Sequence, residues 1–231
     1  MIGYYDYTVL LTYLSLLSAT TGIVVALSGG GHPYYGCFFL LFSGLCDAFD
    51  GKVARTKKTR TRSEMDFGIQ IDSLSDLVAF GVLPACIGTA LIRVSPLINA
   101  ALLGISIPWH IAAGKLLLHA VLVLYVLAAM IRLAYYNVTE QDRQKQESGV
   151  RTNYLGLPVT SAALIFPFVL LLQYTTKGDI TLAYLAVAVF TGILFLLPFP
   201  LRKPGLKGIL MMVGVGALEF LLLLLWKVIF R

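Results

Sequence analysis

The chain has 231 residues, 58% of them hydrophobic and only 13% charged, with a net charge of +6. That composition excludes an ordinary soluble globule and fits a polytopic membrane protein. The surplus of positive charge does not describe a nucleic-acid surface, because the basic residues cluster between apolar runs, where they mark sidedness and attract anionic lipid.

Taken in order, the chain opens on residues 1–7, a short amphipathic lead with three tyrosines suited to an interface. No basic leader and no small-residue cleavage site precede the first apolar run, so that run is expected to stay as an anchor. The first span is predicted at 8–27 and a breaker-rich turn at 28–33. The second span is predicted at 34–53. The loop 55–68 carries Arg55, Lys57, Lys58, Arg60 and Arg62, the most basic stretch of the chain, which places it in the cytoplasm. A third span follows at 69–92.

Residues 93–114 contain an apolar stretch, 97–107, bounded by Pro96 and Pro108. It falls short of the ~20 residues a helix needs to cross, so an external or re-entrant segment is expected. If it crossed, the basic groups in 143–151 and 202–207 would lie outside. Further spans are predicted at 115–136, 155–174, 181–198 and 208–229, with a polar loop at 137–153. The expected fold class is therefore all-α, a polytopic membrane helix bundle of about seven spans forming one domain over 1–231, with its amino terminus inside.

Several features carry no chemistry of their own. Cys37, Cys46 and Cys86 are odd in number and match no metal or disulfide frame. The acceptor pattern at Asn137 and Thr139 is predicted to lie in the cytoplasm, where it is not used for glycosylation. His32, His110 and His119 lack ligand spacing, and Trp109 and Trp226 suit an interfacial belt. Glu219 lies inside the last apolar run; a subunit or helix contact and a role at a lipid site both remain open for it.

The acids are different. Only twelve exist, and four of them, Asp47, Asp50, Asp72 and Asp76, stand at the inner ends of two apolar runs. Acids at membrane depth are costly and mark function by default. Asp47 and Asp50 are three apart and Asp72 and Asp76 four apart, so on helices each pair shares a face. Two such helices side by side make a nest of four carboxylates, which calls for hard divalent cations. Carboxylate-held metals suit phosphoryl transfer, where they clamp a pyrophosphate. Gly51 and Ala54 follow Asp47 on the same helical face, and small residues there admit a bulky or anionic group. Arg55 adds a cation for a phosphate.

Asp47, Asp50, Gly51, Ala54, Arg55, Gly68, Asp72 and Asp76 together resemble the signature of the CDP-alcohol phosphatidyltransferase family. The gap between Arg55 and Gly68, twelve residues, is longer than in many members. Three further runs, Asp72 to Ala85, Ala129 to Asn137 and Tyr154 to Ala163, are similar to the phosphatidylserine synthase branch. Tyr135 and Thr160 depart from that branch, where an arginine and a proline are usual, and Ser18 stands near the place of an asparagine. The resemblance covers residues 8–175, leaving 181–229 as extra C-terminal helices.

The resemblance implies an enzyme of the cell membrane, acting at the cytoplasmic face. It would transfer a phosphatidyl group from CDP-diacylglycerol to the hydroxyl of L-serine, releasing CMP, with two divalent cations, Mg²⁺ or Mn²⁺. The metal ligands would be Asp47, Asp50, Asp72 and possibly Asp76, with Asp76 as the general base. The CDP moiety would lie against Asp47, Gly51, Ala54, Arg55 and Gly68. Serine brings a carboxylate, for which Arg132 and Arg151 are the candidate partners; snorkelling to interfacial phosphates is the other reading of Arg132. The expected partners are these substrates, membrane lipid and a second copy in a homodimer, with no nucleic acid. Transfer to another alcohol (inositol phosphate, glycerol phosphate or choline) is the nearest alternative. A cation transporter is a distant one, because it would spread its acids through the membrane depth.

Overall fold

The computed structural model describes residues 3–28, 33–103, 108–146, 153–176, 178–202 and 205–229. Helix α1 (Leu10–Leu27) packs along α2 (Pro33–Ala54). Helix α3 (Arg62–Asp76) runs through a π-helical turn, Leu77–Val82, into α4 (Leu83–Val94). There follow α5 (Pro96–Leu103), α6 (Pro108–Gln146), strand β1 (Asn153–Leu155), α7 (Ala162–Thr176), α8 (Thr181–Leu196), strand β2 (Pro200–Arg202) and α9 (Leu206–Ile229). Among the described residues, four stretches are long and apolar enough to cross a membrane: Leu10–Leu27, Arg62–Val94, Ala113–Arg143 and Lys207–Leu225. Helix α2, with 22 residues, is about 33 Å long at 1.5 Å per residue. Helices α7 and α8 are apolar but shorter, at 15 and 16 residues.

The third rod shows how the sequence bends its own backbone. Pro84 has no N–H, so the carbonyl of Phe80 loses its usual donor four residues on. The turn widens, Leu83 N–H reaching back to Val78 O. The buried Tyr125 of α6 supplies the missing donor, its hydroxyl lying 2.6 Å from Phe80 O. Tyr184 of α8 likewise donates to Pro84 O at 2.7 Å. Both tyrosines are at most 2% exposed and belong to the core with Phe80, Phe166 and Phe195. The widened turn begins directly after Asp76.

Hydroxyls knit the inner rods, as polar side chains do where lipid supplies no hydrophobic drive between helices. Ser18 of α1 donates to Phe39 O of α2 at 2.8 Å, and Ser43 of α2 to Ser15 O of α1 at 3.0 Å. Ser75 of α3 donates to Thr12 O of α1 at 3.3 Å. Helix α1 thus holds α2 and α3 together at the depth of the acids. On the outside, Leu17, Val24, Leu116, Leu117, Val123 and Leu124 are all more than 60% exposed, a surface suited to lipid.

Helix α5 is only 8 residues, about 12 Å, far short of a ~30 Å hydrocarbon core. By itself it is too short to cross; residues 104–107 of the expected external or re-entrant segment lie outside the described residues. The pairing of β1 with β2 (Asn153 opposite Arg202, Leu155 opposite Pro200) brings the 153 and 200 regions to one end of the bundle. The turn after β1 needs Gly156: its φ is +82°, its N–H donates to Phe199 O at 2.6 Å, and a Cβ there would meet Leu197 O at 2.7 Å.

Two expected loops are partly helical. Helix α3 starts at Arg62, inside the predicted loop 55–68, because Thr61 and Glu64 form a capping box. Helix α6 continues to Gln146, well into the predicted loop 137–153. Polarity alone does not stop a helix: the first breaker after Asn137 is Gly149, and Arg143 pairs with Glu140 at 2.6 Å along the way.

Candidate active site

The end of α2 and the body of α3 meet at their acids. Carboxylate oxygens of Asp47, Asp50 and Asp72 all lie within 4.8 Å of one another. Asp50 faces Asp72, and Asp47 faces Asp76, so each contact crosses from one helix to the other. The Gly51 N–H also donates to Asp50. Asp76 is 8% exposed and the other three are half-buried. Carboxyl groups this close hold together only with a proton or a cation between them. A donor set of hard carboxylate oxygens fits a divalent cation.

Beside the acids opens a cleft of about 420 Å³, within the ~300–1,000 Å³ range of small-molecule sites. Asp50 and Asp72 line it together with Gly51, Ala54, Arg55 and Gly68, so these six motif positions share one space. Asp47 and Asp76 stand behind them, reached through their contacts with the lining acids. Val9, Thr8 and Thr12 form another part of the wall. The residues before α1 are strapped there by Lys57, whose Nζ lies 2.6 Å from Asp6 and 2.9 Å from Glu64. The hydrogen bond from Lys57, and after it those from Thr8, hold the Asp6 carboxyl down at about 2. The Tyr4 ring meets Phe67 edge-on at 5.2 Å.

The α6 wall was not named among the site residues at the sequence level. Tyr136, Asn137, Glu140, Gln141 and Arg143 all line the cleft. Asn137 donates to Ser73 of α3 at 2.6 Å, tying this wall to the acid-bearing helix. The signal was present: residues 136–143 lack glycine and proline, so the apolar rod before them continues and carries polar groups over the site. Arg60, from the basic loop, also lines the cleft.

Arg132 is placed differently. It is 6% exposed, donates from Nε to Leu157 O at 3.1 Å, and lies 5.6 Å over the ring of Tyr136. It does not line the cleft; Tyr136, which it touches, does. Arg151 lies outside the described residues. Glu219 is buried on α9, and its Oε2 has no hydrogen-bond partner among the described residues.

Comparison with known proteins bears on this arrangement. The family model for CDP-alcohol phosphatidyltransferase matches residues 8–194. A Helicobacter pylori CDP-diacylglycerol–serine O-phosphatidyltransferase is 27% identical over 75% of this chain and 62% of its own length. The Saccharomyces cerevisiae protein of the same name is 32% identical over 66% of this chain and 50% of its own. An archaetidylserine synthase of Methanothermobacter thermautotrophicus is 29% identical over 81% of this chain and 67% of its own. The chain thus spans about half to two thirds of the length of these relatives. No solved structure matches it. A helical bundle with membrane-length rods, a carboxylate nest that can take a metal ion, and a family match across most of the chain lead to one statement: the chain belongs to the CDP-alcohol phosphatidyltransferase family.

Proposed function

We propose that this protein transfers a phosphatidyl group from CDP-diacylglycerol to the hydroxyl of L-serine, giving phosphatidylserine and CMP. The observation that carries the reading is the cleft itself: three clustered acids at its edge and, along its wall, the glycine, alanine and arginine that follow them on α2. The names of the relatives support serine as the acceptor. Asp47, Asp50 and Asp72 would hold two divalent cations, Mg²⁺ or Mn²⁺, with Asp76 standing behind them. Bound there, the cations would neutralise the pyrophosphate and polarise the phosphoryl group.

The chain's own residues supply the rest. Gly51 and Ala54 leave room for the nucleotide against α2, and Arg55 faces its phosphates. Asp76 is the proposed base, taking the proton of the serine hydroxyl as its oxygen bonds to phosphorus and the phosphorus–oxygen bond to CMP breaks. Its place outside the three-carboxylate set favours that role, because a carboxylate held by a metal is a weaker base. Arg132 and Arg151 are kept as the candidate partners of the serine carboxylate. On that assignment Arg132→Lys raises the KM for serine and leaves that for the donor alone, since a point charge replaces a planar fork. The proposed setting is the cell membrane, with the cleft at the cytoplasmic face and a homodimer as the assembly.

The test is CMP release by the purified protein from CDP-diacylglycerol, offered serine, inositol phosphate, glycerol phosphate or choline in turn. Serine alone should support turnover, and chelator should abolish it reversibly. Turnover with a different acceptor would transfer the reading to that alcohol; release indifferent to chelator would remove the metal from it.

A further inference from the structure

The cations of the cleft are not equivalent. Arg143 is paired with Glu140 on its own helix. Arg60 has a single described contact, Nη2 to Glu64 O at 3.1 Å, and its buried Nε has no hydrogen-bond partner among the described residues. A buried guanidinium donor without an acceptor is costly, and native structures rarely leave one so without a ligand or water to fill the place. The guanidinium also has a tailored seat. Nη2 lies 2.7 Å from where a Cβ on Gly68 would be, so a side chain there would push the guanidinium out of this place. Helix α2 repeats the arrangement: Nη1 of Arg55 lies 3.3 Å from the Cβ position of Gly51. Each of the two helices therefore presents an acid pair, a glycine on the cleft side of it, and a guanidinium laid over that glycine.

We propose that Arg60 is a second phosphate-binding residue, taking an anionic oxygen of the donor's pyrophosphate from the α3 side as Arg55 does from the α2 side. Gly68, against which the CDP moiety is expected to lie, also leaves room for that guanidinium. The long connection between Arg55 and Gly68 gives the chain the slack to fold Arg60 back over α3. An anion in the cleft supplies both the acceptor that Nε lacks and the opposite charge, and a guanidinium can meet it with two donors. This inference rests on the donor reading above.

The experiment is calorimetric titration of the full chain in detergent, with Mn²⁺ present, using CDP and cytidine as probes. Arg60→Ala should weaken CDP binding roughly ten- to a hundredfold, the usual worth of a charge-assisted hydrogen bond, and leave cytidine unaffected. Arg60→Lys should recover part of the loss. Gly68→Ala should weaken CDP binding similarly while the unfolding midpoint holds or rises, because the new methyl displaces a flexible guanidinium and alanine favours the helix. The double variant should bind no worse than Arg60→Ala. Equal CDP affinity in Arg60→Ala and wild type would overturn the inference and leave the donor reading standing. So would a loss confined to retention on anionic-lipid nanodiscs, which would make the anion a lipid headgroup. If Arg60→Ala does not fold, Arg60→Lys and Arg60→Gln decide by the same readout. Failure of the wild-type protein to bind CDP at all would remove the donor reading, and this inference with it.

Discussion

The two ends of the bundle treat an acid in opposite ways. At the end away from the cleft, Asp179 has every oxygen answered. One oxygen accepts from the Thr181 N–H at 2.9 Å and the Thr181 hydroxyl at 2.6 Å; the other accepts from the Leu97 N–H at 3.2 Å and from Ser95. Ser95 in turn accepts from the Ile98 N–H at 3.0 Å. The result is a staple between the start of α5 and the start of α8, beside a cavity of about 330 Å³. At the other end, four carboxyls have chiefly one another, and Arg60 keeps a donor with no described partner. A polar group whose needs the fold meets is there for stability. One whose needs it leaves open is there for something that arrives.

That contrast can be broken from either end. The largest effect belongs to the nest. Asp47→Asn, Asp50→Asn and Asp72→Asn should each abolish CMP release, by at least ~10³-fold, since each removes ligand charge for a metal. Thermal unfolding of the apo-protein should stay level or improve, because like charges have been thinned. A loss of stability matching the loss of rate would make these acids structural and erase the contrast.

Asp76→Asn comes next. As the base it should cost about 10²–10⁴-fold in kcat while CDP still binds. Loss of CDP binding would instead place Asp76 among the metal ligands.

At the opposite end the expectation reverses. Asp179→Ala should lower stability by about 1 kcal/mol, because the Ser95 and Thr181 side chains it ties are buried while Asp179 itself is open to water, and leave KM and kcat unchanged in the folded fraction. A kinetic effect without destabilisation would mean that the far end communicates with the site.

The smallest effect concerns the strap before α1. The Asp6 carboxyl is held at about 2, against 3.8 when free, chiefly by its hydrogen bond from Lys57. Since the folded value is the lower one, the attachment is at full strength above 3.8 and weakens as pH falls toward 2. Both partners are partly exposed, so only local loosening is expected. Faster amide exchange at residues 3–8 near pH 3 than at pH 6, after correction for intrinsic rates, would register it; equal protection at both would not fit.

The acids, their spacing and the small residues beside them were legible because each pair lies on one helix, where three- and four-residue spacing decides which side chains share a face. Membrane-length apolar runs were legible for the same reason: length and composition are local. The predicted loops were misjudged where local polarity was taken as a stop. At Thr61 and Glu64 the capping box was in plain sight, and it begins α3 ahead of the apolar run. In 137–146 the absence of glycine and proline mattered more than the charge.

By itself, then, the sequence determined where the apolar helices lie and which of them carries each acid. Tertiary structure alone decided that α6 overhangs the acids with Tyr136 and Asn137, that Arg132 spends its Nε on Leu157, and that Arg60 returns to lie on Gly68. The physical reason is distance along the chain. A helical face repeats within a turn, whereas Asn137 and Ser73, or Arg132 and Leu157, meet only after rods far apart in sequence have packed.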